Sequence, residues 1–441
     1  MSVNTRNANL SNTSSSNAYE VLQSRGLVEW CSAPERLREV LNEGMTTIYI
    51  GFDPTADSLH VGHLIPIMAL AWVQRCGHRP VALAGGGTGL IGDPSGKSRE
   101  RNLITIEEVR KNVEGVRPQL AHFLDFDCGE NSALLVNNYD WLSTFSFLDV
   151  LRDVGKHFSV NGLIAREYVK SRLTDPDKSI SYTEFSYVLL QSMDFKYLYE
   201  TYGCRLQMGG NDQQGNLVAG VDYVRRTAEG EVFGLTQPLL LTASGTKFGK
   251  TEDGAVWLDP KRTSPYRFYQ FWINSDDRDV ERLLKLFTFM PLEEIASAMA
   301  EHARDPGARA AQRRLAFEAT KLVHGEATAK SVVAASEVLF GTGLSGMELG
   351  MEEETFALLK EEMPFVELSQ PLPVAVVDLL VGCGACESRG EAKRAVKQGG
   401  VSVNETRVED EGALVSRDAL LGGRYVFVRL GKKRFHLVAF R

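Results

Sequence analysis

The stretch Thr-Ile-Tyr-Ile-Gly-Phe-Asp at residues 47–53 leads within a few residues to His-Val-Gly-His at 60–63. Its β-branched and aromatic residues predict a strand, and Pro-Thr-Ala-Asp-Ser at 54–58 predicts a turn. His60 and His63 therefore fall at the start of the next helix, where unpaired backbone amides and the helix dipole favour anions. A single histidine is usually structural, but two of them flanking Gly62, which lets a ligand approach the backbone, favour a functional site.

The same alternation of strand and helix continues downstream. Residues 47–52, 80–84, 133–136 and 205–208 have strand character, and residues 64–74 and 106–123 have helical spacing. This order predicts an α/β fold in which helices cover a parallel sheet. Ligands of such sheets bind beyond the carboxyl ends of the strands, where the glycine and aspartate clusters of this chain fall.

A glycine-dense loop, Gly-Gly-Gly-Thr-Gly-Leu-Ile-Gly-Asp-Pro-Ser-Gly-Lys, occupies residues 85–97. Residues 87–92 formally match a dinucleotide fingerprint, and residues 96–98 resemble the end of a P-loop. A P-loop would need glycine in place of Ile91, and the fingerprint belongs to the first strand–helix turn, which residues 60–63 already occupy. A prediction of dehydrogenase activity would be supported by this weak match alone. We instead expect the loop to hold Asp93 near a cationic group of a ligand.

The segment 182–200 predicts a buried helix that carries polar side chains on one stripe. Tyr187, Gln191 and Asp194 stand at positions i, i+4 and i+7 and so lie on one face. That face could simply be solvated. Residues 207–213, Gln-Met-Gly-Gly-Asn-Asp-Gln, follow a strand with two glycines and four polar side chains, and they favour a site for a polar ligand instead.

The segment Ser-Gly-Thr-Lys-Phe-Gly-Lys-Thr at 244–251 has glycines near both ends and neither helical nor strand periodicity. We expect it to be a mobile loop. Exposed lysines usually serve solubility alone, but Lys247 and Lys250 lie between the predicted sheet and the helices that follow. That position favours a functional pair.

Composition limits the class of protein. The 441 residues predict about three domains, and 43% hydrophobic with 24% charged residues is typical of a water-soluble protein. No apolar run approaches the roughly 20 residues that span a bilayer. Of six cysteines only Cys383 and Cys386 are close together, so we expect reduced thiols and no structural metal.

Charge is distributed unevenly along the chain. Residues 375–441 hold twelve Lys/Arg against eight Asp/Glu, a net charge of +4, so the remaining residues carry −12 of the total of −8. A basic end on an acidic body indicates that a polyanion binds there.

Beyond residue 262 the strand signals give way to helical patterns over 264–288, 292–302 and 308–323. We expect a disordered tail at 1–18, an α/β domain at 19–261, a helical domain at 262–340, a linker at 341–372 and a small module of helices and strands at 373–441. The size of the last module favours binding over catalysis.

These motifs together resemble the bacterial-type tyrosyl-tRNA synthetases, a family of class I aminoacyl-tRNA synthetases. His-Val-Gly-His at 60–63 is similar to the first signature of the family, with Val in place of the usual Ile. Lys-Phe-Gly-Lys-Thr at 247–251 is similar to the second, and residues 51–60, 88–97 and 209–213 match further family segments. The likeness runs from about residue 20 to the C-terminus.

The resemblance implies a Rossmann-like catalytic domain with a dimer-forming insertion at about 138–200, an all-α anticodon-arm domain and an α+β S4-type RNA-binding domain. It implies the following site residues. Tyrosine would be bound by Tyr49, Asp93, Tyr187, Gln191, Asp194, Gln207 and Gln213, with Tyr49 and Asp194 at its hydroxyl and Asp93, Tyr187 and Gln191 at its ammonium group. ATP would be bound by Gly51, Asp53, His60, Gly62, His63, Gly210, Asp212 and Lys250. Catalysis would involve His60, His63, Lys247, Lys250, Thr55 and Thr251, and tRNA would meet Arg389, Lys393, Arg394 and Lys397.

The implied activity is a tyrosine–tRNA ligase, working in the cytoplasm as a homodimer with ATP as substrate and Mg²⁺ on the nucleotide. Residues 140–158 are the candidate dimer interface. One alternative keeps the fold and changes the amino acid to tryptophan, although Tyr49, Asp194 and the final module favour tyrosine. A second alternative is a non-enzymatic RNA-binding protein descended from a synthetase, which the intact histidine and lysine motifs disfavour.

Overall fold

The structure, a computed structural model, describes residues 17–95, 105–175, 179–239, 241–242, 248–251, 254–340, 353–404, 406–431 and 434–441. Of residues 167, 168, 250, 251 and 340 it describes the backbone alone. Among the described residues, those up to 263 and those from 274 to 315 form one compact unit. Residues 264–273 and those from 316 onward form the other.

A six-stranded sheet lies at the centre of the first unit. Its strands are β1 (Trp30–Cys31), β2 (Thr47–Phe52), β3 (Arg79–Ala84), β4 (Leu134–Asn137), β5 (Cys204–Gly210) and β6 (Phe233–Gln237), in the spatial order β1-β6-β5-β2-β3-β4. All neighbours are parallel except β1 and β6. The four predicted strands are confirmed within two residues. The prediction of a parallel sheet is correct apart from β1, a two-residue edge strand that is too short to leave a sequence pattern.

Helices cover this sheet: α1 (Ala18–Ser24), α2 (Pro34–Glu43), α3 (Leu64–Arg75), α4 (Ile106–Leu120), α5 (Tyr139–Leu142), α6 (Phe147–Asp149), α7 (Val160–Ile164), α8 (Glu167–Leu173), α9 (Tyr182–Tyr202) and α10 (Gln214–Ala228). Helix α3 is buried from Leu64 to Gln74 apart from Pro66, as expected of a helix that is apolar all round. Helix α9 is capped at both ends. The Ser181 side chain accepts the Glu184 N–H at its N-terminus, and Gly203 adopts the left-handed conformation just after its C-terminus.

The predicted helix over 264–288 is two helices, α11 (Pro265–Ile273) and α12 (Asp277–Phe287). The break has a local cause, because the Asp276 side chain accepts the Arg278 N–H and so caps a new N-terminus. Helix α13 (Leu292–His302) has the predicted limits, and α14 (Ala310–His324) differs from its prediction by at most two residues. Between the sheet and these helices, β7 (Lys250–Thr251) and β8 (Gly254–Ala255) form a short antiparallel hairpin.

The second unit contains a mixed five-stranded sheet and further helices. Besides α11 and the C-terminal part of α14, its elements are α15 (Glu326–Phe340), α16 (Glu353–Glu362), β9 (Phe365–Leu368), β10 (Val374–Ala375), α17 (Val376–Gly382), α18 (Arg389–Lys397), β11 (Val401–Val403), β12 (Thr406–Val408), β13 (Leu414–Val415), β14 (Tyr425–Leu430) and β15 (Arg434–Phe440). The sheet order is β12-β11-β14-β15-β9.

The linker predicted at 341–372 is wrong from residue 353 onward. Residues 353–362 form α16, and β9 pairs in parallel with β15, Phe365 opposite Leu437. Several of the glutamates that suggested a linker belong to α16. Residues 341–352 lie outside the described residues.

The tail predicted at 1–18 ends too late, because Asn17 already caps α1 and accepts the Tyr19 N–H. Residues 1–16 lie outside the described residues, and the other domain limits stay predictions. Within the part of the chain that is described, no helix is both long and apolar enough to cross a membrane.

Candidate active site

Most of the residues predicted to bind tyrosine or ATP lie on β2, β3 and β5 or on the segments that follow these strands. Tyr49 on the central strand lies level with Gln207 on β5 and with Val81 on β3. Each strand then leaves the sheet through one of the segments singled out in the sequence: 53–63 after β2, 85–95 after β3 and 211–213 after β5. Side chains that are distant in sequence therefore face one another at one edge of the sheet.

At the deepest point of the site, Asp194 of α9 is held by two donors. Its Oδ1 accepts the Trp141 Nε1–H at 2.8 Å, and its Oδ2 accepts the Asn138 Nδ2–H at 2.8 Å. Asp194 is 1% exposed. Burial raises its pKa to about 7, against the lowering effect of the two hydrogen bonds. The carboxyl group is thus fixed in orientation, with its remaining lone pairs available to a ligand donor.

Asn138 ties this carboxylate to the glycine-dense loop. Its Oδ1 accepts the Gly87 N–H at 2.7 Å, and its Nδ2 also donates to Thr88 Oγ1 at 2.9 Å. Asn138 is completely buried. One amide therefore sets the position of Asp194 and of the loop together.

Tyr49 lies beside Asp194 in the buried part of the pocket. Burial raises the pKa of the Tyr49 phenol, and the Asp194 charge raises it further. Its ring packs on Phe195, with the ring centroids 5.4 Å apart. The phenol therefore stays protonated and remains a hydrogen-bond donor at any physiological pH.

Asp93 forms a second carboxylate centre, nearer the chain segment that follows β5. Its Oδ1 accepts the Ser95 N–H at 2.9 Å, and its Oδ2 accepts the Gln213 Nε2–H at 2.5 Å. Burial, with a smaller contribution from the Asp53 charge, raises the pKa of Asp93 to about 6. Burial raises the pKa of the Tyr187 phenol as well, and the charges of Asp53, Asp93 and Asp194 add to the rise. Two acidic centres thus lie on either side of Tyr187, which favours a ligand that carries a positive charge near Asp93.

Three buried side-chain oxygens of this site have no hydrogen-bond partner among the described residues. They are Tyr49 Oη, Gln191 Oε1 and Gln207 Oε1. Buried polar atoms are nearly always hydrogen-bonded in folded proteins. All three residues were predicted to bind the amino acid, and their lack of protein partners is what a polar ligand in this pocket would explain. The solvated face considered for the helix stripe is wrong for Tyr187 and Asp194, which are 5% and 1% exposed.

The two signature histidines form a reciprocal cap at the start of a short 3₁₀ turn, Val61–His63. His60 Nδ1 accepts the Gly62 N–H at 3.0 Å, and His63 Nδ1 accepts the His60 N–H at 3.1 Å. The imidazole rings lie 3.9 Å apart, 30° from parallel. A side chain at Gly62 would collide with the His60 ring, since a Cβ there would lie 2.8 Å from its Cε1. Glycine is therefore required at this position.

The expectation that unpaired amides at 60–63 bind an anion is wrong. The Val61 N–H donates to the Val256 carbonyl and the His63 N–H to the His60 carbonyl, so all four amides are used within the protein. Because each Nδ1 accepts a hydrogen bond, the proton of each ring is on Nε2. Burial lowers the pKa of His63 to about 3, and the His60 ring adds to the effect. The motif offers Nε2–H donors, and that of His63 is uncharged at neutral pH.

The lysine segment reaches the histidine motif through Gly249. The Val256 N–H donates to the Gly249 carbonyl while the Val256 carbonyl accepts from Val61. Gly249 has a φ of +83°, and a Cβ there would lie 3.4 Å from the Gly62 nitrogen. Phe248 stacks on Phe287 of α12, with the ring centroids 5.7 Å apart. Lys247 and the side chains of Lys250 and Thr251 lie outside the described residues.

The loop that carries Thr55 is held by α4. Asn112 Nδ2 donates to the Pro54 carbonyl at 2.8 Å, and Gln119 Oε1 accepts the Leu59 N–H at 2.8 Å. Thr55 is exposed, as are Gly51 and Asp212, while Gly210 is half-buried at the end of β5. Thr55, predicted to be catalytic, and the other three, predicted to bind ATP, are therefore more accessible to solvent than the buried Asp194 and Tyr49.

Sequence reasoning missed four residues that position the predicted ones: Asn138, Trp141, Ser95 and Asn216. Each forms a hydrogen bond with a predicted site residue: Asn138 and Trp141 with Asp194, Ser95 with Asp93 and Asn216 with Gln213. Ser95 stood inside a quoted motif, so its role could have been suspected. The others follow no motif or helical spacing that would have singled them out.

Two protein-family models match the chain. The model of the tRNA synthetases class I (W and Y) family matches residues 41–341. The chain belongs to this family. A second model, the tyrosine–tRNA ligase SYY-like C-terminal domain, matches residues 355–438.

Individual members of this family resemble the chain over nearly its whole length. The tyrosine–tRNA ligase of Anaeromyxobacter dehalogenans strain 2CP-1 is 50% identical over 428 residues, which cover 96% of this chain and 100% of that protein. That of Roseiflexus castenholzii is 48% identical over 421 residues, 95% of this chain and 98% of the relative. Among solved structures, a C-terminally truncated mitochondrial tyrosyl-tRNA synthetase of Aspergillus nidulans is 34% identical with a TM-score of 0.66, covering 74% of this chain and 94% of that one.

Proposed function

We propose that this chain is a tyrosine–tRNA ligase, which activates L-tyrosine with ATP to tyrosyl-adenylate and pyrophosphate and then transfers the tyrosyl group to the 3′ end of tRNA(Tyr). The observation that carries the proposal is the buried pair of Asp194 and Tyr49. A phenolic hydroxyl both donates and accepts one hydrogen bond, so it can donate to the carboxylate and accept from Tyr49 Oη. The curated relatives, which align over nearly their whole length, carry this activity in their names.

Tryptophan satisfies the same pair less well. Its indole N–H only donates, so it could bond to Asp194 but would leave the Tyr49 hydroxyl buried without an acceptor. Phenylalanine would leave both groups unpaired. Rejection of an analogue that lacks the hydroxyl is strong for this physical reason, and tyrosyl-tRNA synthetases are themselves the standard example of it.

The first chemical step needs little acid–base catalysis. The tyrosine carboxylate is already a nucleophile, and it attacks the α-phosphorus of ATP while pyrophosphate leaves. Catalysis then consists of positioning and of stabilising charge on the pentavalent phosphorus. We assign the Nε2–H groups of His60 and His63 to the phosphates on one side, and Lys247 and Lys250 to the pyrophosphate on the other.

We propose the remaining roles from the likeness to the tyrosyl-tRNA synthetases. Asp93, Tyr187 and Gln191 hold the ammonium group of tyrosine, with Gln207 and Gln213 completing its pocket. Gly51, Asp53, Gly62, Gly210 and Asp212 bind ATP, and Thr55 and Thr251 assist at the phosphates. Mg²⁺ accompanies the nucleotide as its counterion. Within the described residues, no three His, Cys, Asp or Glu side chains are arranged to hold a metal ion.

The test is tyrosine-dependent exchange of pyrophosphate into ATP without tRNA, with tryptophan and phenylalanine as controls. We expect exchange with tyrosine alone. Exchange with tryptophan would show the same activation reaction with a different amino acid as the substrate. Folded protein that supports no exchange with any amino acid would favour an RNA-binding protein without synthetase activity.

We assign tRNA contacts to the module at 373–441, an S4-type RNA-binding domain, and anticodon-arm contacts to the helices within 262–340. Arg389, Lys393, Arg394 and Lys397 all lie on α18. Glu411 is 3.7 Å from Lys393 and 2.8 Å from Lys397, and Arg389 pairs with Asp378 at 3.0 Å. Arg394 makes no ion pair with any described residue. It is therefore the member of the set that meets a phosphate without breaking a contact.

This difference predicts opposite effects for two substitutions. Arg394→Glu should raise the KM for tRNA about tenfold at low salt, because an attraction to phosphate becomes a repulsion. Glu411→Gln should lower it, because two ammonium groups lose their protein partner. Aminoacylation at two salt concentrations measures both effects, and pyrophosphate exchange serves as the control that neither variant changes. Equal charging by both variants would place the tRNA elsewhere.

We further propose that the ligase is a cytoplasmic homodimer. Large apolar side chains are exposed along the insertion at about 138–200: Phe145, Phe147, Leu148, Leu151, Val160, Ile164, Leu173 and Tyr182. Phe147 is 64% exposed and Leu148 74%. Exposed apolar residues in such number mark an interaction surface. The predicted interface at 140–158 contains four of them, and the surface extends beyond it.

A further inference from the structure

A chain of hydrogen bonds runs from a guanidinium group to the carboxylate proposed to hold the tyrosine ammonium group. Arg166 Nη1 donates to Asn216 Oδ1 at 3.1 Å. Asn216 Nδ2 donates to Gln213 Oε1 at 3.2 Å, and Gln213 Nε2 donates to Asp93 Oδ2 at 2.5 Å. Each link passes from a donor to an acceptor in the same direction. The chain thus begins at a cation and ends at Asp93.

The direction of this chain is fixed by its two ends. A guanidinium group can only donate, so the Asn216 atom that it faces is the oxygen. An ionised carboxylate can only accept, so the Gln213 atom that faces Asp93 is the nitrogen. The amide orientations of Asn216 and Gln213 follow from these constraints, and they match at the link between them. Aligned hydrogen bonds polarise one another, so the charge of Arg166 strengthens the last donor in the chain.

Asn216 also has a second route to Asp93. Its Nδ2 donates to Ser95 Oγ at 3.2 Å, and the Ser95 N–H donates to Asp93 Oδ1 at 2.9 Å. Asn216 is 2% exposed and sits in the first turn of α10. Both oxygens of Asp93 are therefore bonded to residues that Asn216 holds in place.

Asp93 needs this support because its surroundings oppose its charge. It is 8% exposed, and the Asp53 carboxylate acts on it from the end of β2. From α9 it faces the Tyr187 phenol, which is neutral. The charged or polar groups that favour its ionised form are Ser95, Gln213 and, through Asn216, Arg166.

We propose that Asn216 and Arg166 are positioning residues for amino-acid binding, which hold Asp93 oriented and ionised so that it can pair with the ammonium group of tyrosine. The inference rests on the proposed function, since it presumes that the ammonium group binds at Asp93. Neither residue touches the substrate; both act through Gln213 and Ser95.

The test is the pH profile of the KM for tyrosine in pyrophosphate exchange, measured for wild type, Asn216→Ala, Asn216→Asp and Arg166→Gln. In the wild type, the KM for tyrosine should rise as pH falls through about 7, where Asp194 takes up a proton, and rise again through about 6, where Asp93 does. The variants test the second rise. Asn216→Ala should raise the KM at pH 7.5 about tenfold and move this rise to higher pH. Asn216→Asp should move it further, because a second carboxylate joins the network. Arg166→Gln keeps a hydrogen-bond donor and loses the positive charge. It should therefore also move the rise in KM to higher pH, by less than the Asn216 variants do.

The KM for ATP is the internal readout, and we expect it to change less than twofold. Asn131→Ala is the control, because the Asn131 side chain also donates a hydrogen bond, to the Gln74 carbonyl, but lies far from Asp93 in the sequence. A uniform loss of activity in Asn216→Ala with an unshifted pH profile would overturn the proposal. An inactive wild type would instead overturn the proposed function.

Discussion

Asp194→Asn should lower kcat/KM for tyrosine by about 10²- to 10³-fold and lower that for phenylalanine far less. The substitution keeps the size of the side chain, but both Asp194 oxygens accept hydrogen bonds, from Trp141 Nε1 and Asn138 Nδ2. The new amide NH₂ must therefore face one of these donors, and the negative charge proposed to accept the tyrosine hydroxyl is lost. Selectivity for tyrosine over phenylalanine should fall with it. Pyrophosphate exchange with each amino acid, at matched ATP, measures the ratio.

The matched control for this variant is Glu184→Gln. Glu184 lies on the same helix and is also buried, in an ion pair with Arg172 at 2.7 Å. Loss of that pair should reduce the thermal stability of the protein and leave the tyrosine-to-phenylalanine ratio as it was. If Asp194→Asn lowers kcat/KM equally for tyrosine and phenylalanine, Asp194 stabilises the fold and does not bind the tyrosine hydroxyl. The assignment of the pocket would then be wrong.

The sheet and the polar stripe of α9 were predictable because local patterns encode them. Strands over 47–52 and 80–84 have β-branched and apolar runs bounded by turns, and the structure places their ends within one residue of the prediction. The seven-residue spacing of Tyr187, Gln191 and Asp194 fixes them on one face of any helix. Because the carboxyl ends of parallel strands lie at one edge of the sheet, the sequence also predicted that the loops after β2 and β3 would lie close together.

The partners of these residues were not predictable, because they depend on tertiary contacts. Asn138 and Trp141 precede Asp194 by more than fifty residues and reach it from a four-residue helix and its cap. No periodicity links the two segments. Only the packing of α5 against α9 brings them together, and a single sequence contains no record of that packing.

The histidine motif shows a subtler limit. Its location at a strand-to-helix junction was correct, yet the amides expected to bind an anion are bonded to the protein itself. Helix-dipole reasoning assumes a regular first turn with free N–H groups. Here the two histidine side chains accept two of those groups and backbone carbonyls accept the other two, so all four amides of the motif are bonded within the protein.

Lys250→Ala should lower the rate of tyrosine activation by about 10²- to 10³-fold and leave the dissociation constant of tyrosine nearly unchanged. The ammonium group is proposed to stabilise charge on the departing pyrophosphate, which develops in the transition state and is absent when tyrosine binds alone. Position supports this role, because Gly249 lies against Val61 and Gly62 and places the lysine segment beside the histidine motif. Single-turnover formation of the adenylate measures the rate, and equilibrium dialysis with labelled tyrosine measures the affinity.

Lys261→Ala is the control for removing a lysine from the same region. Lys261 is exposed and eleven residues downstream, and its backbone N–H donates to Asp259 Oδ1. Its loss should change neither quantity. A dissociation constant for tyrosine that rises as steeply as the rate falls in Lys250→Ala would mean that the lysine supports the ground state, and its assignment to the pyrophosphate would be wrong. A loss confined to the rate would mean that the ammonium group stabilises the transition state, in which the tyrosine carboxylate oxygen displaces pyrophosphate from the α-phosphorus.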